Sequence, residues 1–147
     1  MKNKNKNFNI LVSRVIKQSS TQKKKIEVLL TKQNKIYFKR AEEFSVKFLK
    51  YLRIENVSVN YAVNSYLKLC FDMFESQKYF IKYKKYPISD EKEAYKKVYN
   101  NTKEMKSYMY GLAISQFLWS THYKMYSFFI SNIKKNIKKT NSYLEIG

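Results

Sequence analysis

From Tyr37 onward the apolar residues of this chain return at three- and four-residue steps. Tyr37, Ala41, Phe44, Phe48 and Leu52 follow one another by 4, 3, 4 and 4 positions, with Phe38, Ser45 and Leu49 beside them. Such a stripe is one face of an α-helix. Residues that would break it are scarce, since the 147 positions hold one proline, Pro87, and two glycines, Gly111 and Gly147. Proline costs about 3 kcal/mol inside a helix, and glycine about 1 kcal/mol relative to alanine. A chain with this period and so few breakers is predicted to be mainly α.

Caps and interruptions divide the pattern. A second helix opens at Ser58, has Ala62, Tyr66, Leu69, Met73 and Phe80 near its buried side, and ends before Pro87. In "YPISDEKEAYKKVY", Ser89 or Asp90 caps the next start, and Asp90 with Glu93 has the spacing of a capping box. Asn100, Asn101 and Thr102 then interrupt, and "TKEMKSYMYGLAISQFLW" resumes the period. A last start at Ser120 or Thr121 opens "STHYKMYSFFISNIKKNIKK". The lysines that close this segment suit the negative end of a helix dipole. Gly111, inside a helical pattern, implies the close approach of another helix. The stretch 1–22 reads as a basic, mobile tail that begins with a Lys/Asn run. "IEVLL" carries no usable period and reads as either a strand or a helical turn. The expected fold is an array of four to five helices over 23–140, leading into one short strand over 141–147.

An apolar share of 44% and an aromatic share of 17% are those of a chain that packs rather than one that stays disordered. The net charge of +19 points toward polyanions: nucleic acid, an anionic membrane surface or a phosphorylated glycan. It comes from 27 lysines and only three arginines, Arg14, Arg40 and Arg53. Readers of nucleic acid lean on the planar arginine fork, so this balance disfavours them. AT-rich codons offer a competing explanation, a solvated lysine surface without a partner. One cysteine, Cys70, and one histidine, His122, exclude a structural zinc site and an internal disulfide. Cys70, within "YLKLCFDMF", reads as a buried, inert thiol. The N-terminal apolar stretch of about four residues falls short of the roughly 7–15 of a signal-peptide core. No run approaches the roughly 18 apolar residues of a spanning helix. A cytoplasmic location is expected.

The final residues, Tyr143, Leu144, Glu145, Ile146 and Gly147, read apolar, apolar, acid, apolar, glycine after a long helix. This opening resembles the first strand of class I S-adenosylmethionine-dependent methyltransferases, whose strand runs into an acid-x-Gly-x-Gly-x-Gly loop. The stretch 108–129 is also similar to the helix pair that leads into that loop in one set of bacterial methyltransferases acting on small molecules or glycans. The resemblance implies the N-terminal helical part of such an enzyme and the first strand of a Rossmann-like domain, ending at the first glycine of the cofactor loop. Glu145 would orient the loop and the amino-acid end of S-adenosylmethionine, and Gly147 would give its backbone to the cofactor wall. Lacking the rest of the loop, the chain is expected to be inactive and not to bind the cofactor usefully. Surface left bare by a missing sheet would favour self-association.

His122 titrates nearest neutral pH and is the general-base candidate for a hydroxyl or amine acceptor; the competing reading is a structural histidine. Gln116, Trp119 and Tyr123 flank it as a substrate wall with a polar handle, or else as core. The alternative function comes from a different class, a basic helical module binding an anionic partner, nucleic acid or a membrane surface.

Overall fold

The computed structural model describes residues 5–142, and every regular element among them is helical. The seven α-helices are α1 Lys6–Gln18, α2 Ser20–Thr31, α3 Lys35–Ile54, α4 Val59–Tyr83, α5 Glu91–Ala94, α6 Thr102–Leu118 and α7 Ser120–Asn136. A π-helical turn, Tyr95–Tyr99, follows α5, and a 3₁₀ turn, Ile137–Lys139, follows α7. Short polar side chains set the helix starts by accepting a first-turn N–H, as at Ser19 from Gln22, Asn34 from Tyr37, Ser58 from Tyr61, Asp90 from Glu93 and Asn101 from Glu104.

Two expectations are corrected here. No strand occurs among the described residues, and most of the segment expected to form one, Tyr143–Gly147, lies outside them. Within the stretch expected to be a mobile tail, 1–22, the described residues are helical instead: α1 packs against α2, α3 and α4 and buries Phe8, Leu11, Val12 and Val15. These four residues are a helical face, spaced i, i+3, i+4 and i+7, that Lys and Asn flanks conceal. The start of α1 is held from a distance. Asn5 makes no side-chain cap, and the Glu42 carboxylate of α3 instead accepts from the N–H groups of Asn7 (3.1 Å) and Phe8 (2.8 Å) and from Asn7 Nδ2 (2.7 Å). Burial acts to raise the Glu42 pKa, but these donors outweigh it and hold it below the usual carboxylate value.

The core gathers α1, Ile26 of α2, the predicted stripe of α3, the first half of α4 and the second half of α6. Tyr37 is its aromatic centre, with edge contacts to Phe8, Phe117 and Tyr123 and a hydroxyl that donates to the Phe117 carbonyl. Helices α4 and α6 run antiparallel, pairing Tyr61 with Tyr110, Ser65 with Ser107 and Lys68 with Glu104. They meet closely at Gly111, where a Cβ would lie 2.7 Å from the Ser65 carbonyl oxygen. Past Leu69, α4 outruns the core and leaves Phe71, Met73, Phe74 and Ile81 exposed.

Candidate functional site

The four residues singled out for substrate chemistry meet at the corner between α6 and α7. Trp119 is the hinge, in extended conformation between the two helices. Gln116 Nε2 donates to the His122 carbonyl at 2.8 Å and closes the turn. Ser115 Oγ donates its one proton to the Leu112 carbonyl at 2.7 Å, so in its 2.8 Å contact with His122 Nδ1 the imidazole is the donor. His122 therefore carries its proton on Nδ1, and burial lowers its pKa, which favours the neutral ring at neutral pH. The Trp119 indole lies 4.7 Å from that ring and donates through Nε1 to the Tyr66 hydroxyl at 3.2 Å. Tyr66 donates in turn to Gln22 Oε1 at 3.2 Å, which joins α2, α4 and the corner. Tyr123 packs edge-on against Tyr37 at 4.7 Å. Each of these side chains is engaged in holding the corner to the core.

Cys70 is partly buried beside this strip, and burial pushes its thiol pKa up. No group of three or more His, Cys, Asp or Glu side chains among the described residues is placed to hold a metal ion. Glu145 and Gly147 lie outside the described residues.

A second site lies further along α7, and the sequence reading passed over it. Met125, Phe129, Ile133 and Ile137 succeed one another at four-residue steps with Phe128 alongside. All five are exposed, Phe128 by 74% and Met125 by 69%. Lys134 lies across the helix from Phe129, Lys135 borders Phe128, and Lys138 and Lys139 follow in the 3₁₀ turn; together with Lys124 they are exposed. None of these five lysines takes part in an ion pair among the described residues. Between Glu104 and Glu145 the sequence has no acidic residue. A shallow cleft of about 500 Å³ runs along the same face from Phe128 to Ser142. The signal was legible as an apolar four-residue step continuing beyond Tyr126, the last ring of α7 stacked on the core.

No family model matches the chain, and no curated protein or solved structure matches it. The resemblance to class I methyltransferases is withdrawn. The described chain is helical without a strand, Tyr143–Gly147, which carried the strand and loop part of the resemblance, fall outside it, and no relative supports reading 108–129 as the helix pair of such an enzyme. Gly111, the one glycine among the described residues, is a helix-crossing residue packed on α4 and not part of a phosphate- or cofactor-cradling turn.

Proposed function

We propose that this protein associates with anionic membrane surfaces and that α7 is the element that meets them. The observation that carries this reading is the composition of the exposed face of α7 and the turn after it, a stripe of five large apolar side chains bordered by lysines, with no acid in the sequence between Glu104 and Glu145. A helix of this kind lies in the plane of the interface with its apolar side sunk about 5–10 Å into the headgroup boundary. Full burial of a Phe, Ile or Met side chain contributes about 1.5–3 kcal/mol, and each lysine near an anionic leaflet about 1 kcal/mol. Long lysine stems also lie along apolar surface while their ammonium groups stay in water. No helix among the described residues is long and apolar enough to cross a membrane, so the association proposed is lateral.

Vesicle flotation tests the reading. Binding to phosphatidylglycerol-containing vesicles is expected, with little binding to pure phosphatidylcholine. It should fall steeply as salt rises from about 0.1 M to about 1 M, where the screening length shrinks from about 10 Å to about 3 Å. F128S/I133S should abolish binding while the far-UV spectrum stays unchanged, because both residues face solvent. K134E/K135E/K138E should abolish the preference for anionic lipid. Equal binding by wild type and F128S/I133S, or binding to single-stranded RNA in place of vesicles, would refute it.

A further inference from the structure

A cleft of about 760 Å³ separates α3 from α6, on a part of the surface that neither the α6–α7 corner nor the α7 stripe uses. Its volume lies in the range of small-molecule sites. Phe48 and Tyr51 line it from α3, Tyr99 from the π-helical turn, and Met105, Met109 and Ala113 from one ridge of α6. The neighbouring ridge of α6 supplies three polar groups, Thr102, Lys106 and Tyr110, at four-residue steps and hence adjacent along the helix. Lys106 is exposed and makes no ion pair among the described residues. Tyr110 is 4% exposed, and its shielded hydroxyl makes no hydrogen bond of good geometry among the described residues, although the Tyr51 side chain acts on it. An unpartnered buried hydroxyl is costly, so such a group is either a defect or half of an interaction with something else.

We propose that this cleft binds a single-chain carboxylate of the fatty-acid type. The acyl chain lies along Met105, Met109 and Ala113 against Phe48 and the Tyr51 and Tyr99 rings. The carboxylate takes a charge-assisted hydrogen bond from Lys106 and one from the Tyr110 hydroxyl. Methionine-lined walls suit a flexible chain because the thioether adapts its shape. Glu55 is the opposing group. Burial first, then the Tyr51 side chain and after it the Glu55 carboxylate, push the Tyr110 pKa up; Glu55 is solvent-exposed, so water screens it more than it would a buried charge.

The methionines make the test direct. Met105 and Met109 lie in the cleft, Met125 on the α7 stripe and Met73 on the exposed half of α4. Protein carrying ¹³C-methyl methionine is titrated with dodecanoate below its micelle concentration and followed by NMR. Saturable shifts are expected at Met105 and Met109, with Met73 and Met125 unmoved. Y110F should weaken binding roughly threefold to tenfold, and K106E by tenfold or more, the scale of a neutral and of a charge-assisted hydrogen bond. E55Q should tighten it. M109W, which fills the cleft from an exposed position of α6, should abolish the Met105 shifts with the far-UV spectrum retained. Shifts confined to Met125, or of equal size at all four methyls, would show adsorption to exposed apolar surface and overturn the proposal. Dodecanol binding as tightly as dodecanoate would overturn the anion site. The α7 reading is independent, since F128S/I133S leaves this titration unchanged if the cleft is the site.

Discussion

Replacing Gly111 with alanine tests the close approach of α4 and α6, and elementary expectations pull it in two directions. In an exposed helix the change should stabilise by about 1 kcal/mol through helix propensity and a less flexible unfolded chain. At this position the new methyl would sit 2.7 Å from the Ser65 carbonyl oxygen, 3.1 Å from the Ser65 carbonyl carbon and 3.1 Å from Leu69 Cβ. Two of these three atoms are backbone of α4, which no side-chain rotation can move aside, so the antiparallel α4–α6 pair must separate along its length. Overpacking of this kind costs about 1–3 kcal/mol. Because the clash is with backbone, the net effect is expected to be destabilisation by about 1–2 kcal/mol, or a fall in Tm of roughly 2–8 °C for a chain of this length. Urea unfolding followed by far-UV circular dichroism and by Trp119 fluorescence measures it, with G111V expected to lose more than G111A. A G111A protein as stable as wild type, or more so, would show that α4 and α6 do not approach this closely.

Two further predictions concern groups whose charge the fold controls. The lowered pKa of Glu42 means its stabilising contribution is present above the ordinary carboxylate value of 4.5 and is lost as pH falls through the lower folded value. E42Q removes the charge that accepts from Asn7 and Phe8. It should cost about 1–3 kcal/mol at neutral pH and speed amide exchange in the first turns of α1 ahead of the rest of the core. His122 also has its pKa lowered, by burial, but it is a base, so the fold favours its neutral form. Its contribution is present above the unfolded value of 6.5 and is lost as pH falls from there toward the depressed folded value. Wild type should therefore lose stability relative to H122Q between about pH 8 and about pH 5. Imidazole ¹⁵N shifts at neutral pH should report the proton on Nδ1.

The helices were legible where one apolar face met one core. The spacing from Tyr37 to Leu52 names the residues that α3 buries, and the caps at Ser58 and Asp90 stand where short polar side chains must satisfy free N–H groups. Gly111 was legible for the same reason, since a costly residue inside a helix implies a neighbour too close for a Cβ. Met73 and Phe80 were placed on a buried side and prove exposed, because period reports a face and cannot report where the core ends. The N-terminal helix was hidden by composition: Lys and Asn around Phe8, Leu11, Val12 and Val15 make a local window look like a solvated tail. Its cap is 35 residues away on α3, beyond the reach of any local signal. The corner residues lie together at the α6–α7 turn, but only three dimensions show that Trp119 reaches Tyr66 and, through it, Gln22. The four residues "LEIG" matched a motif whose supporting strand and loop were never available to confirm it, and short motifs need that context.

The two explanations of the charge make different statements about position, and the proposed reading of α7 rests on that difference. Codon bias enriches lysine over the whole chain and is blind to helix geometry. It accounts for 27 lysines against three arginines, and it would leave them scattered over exposed faces and mixed with acids. That is the arrangement on α4 and around α5, where Lys68, Lys78 and Lys97 sit within 3.1 Å of Asp72, Glu75, Glu93 or Glu104. Such exposed pairs contribute about 0–1 kcal/mol each and leave little net field. On α7 and the turn after it the acids are missing, the lysines border the apolar stripe, and that stripe stays bare where the core has ended. A solvated surface requires the lysines but gives no reason for the exposed phenylalanine and isoleucines beside them. An anionic lipid interface requires both and accepts lysine as readily as arginine, since it recognises charge density rather than a base edge.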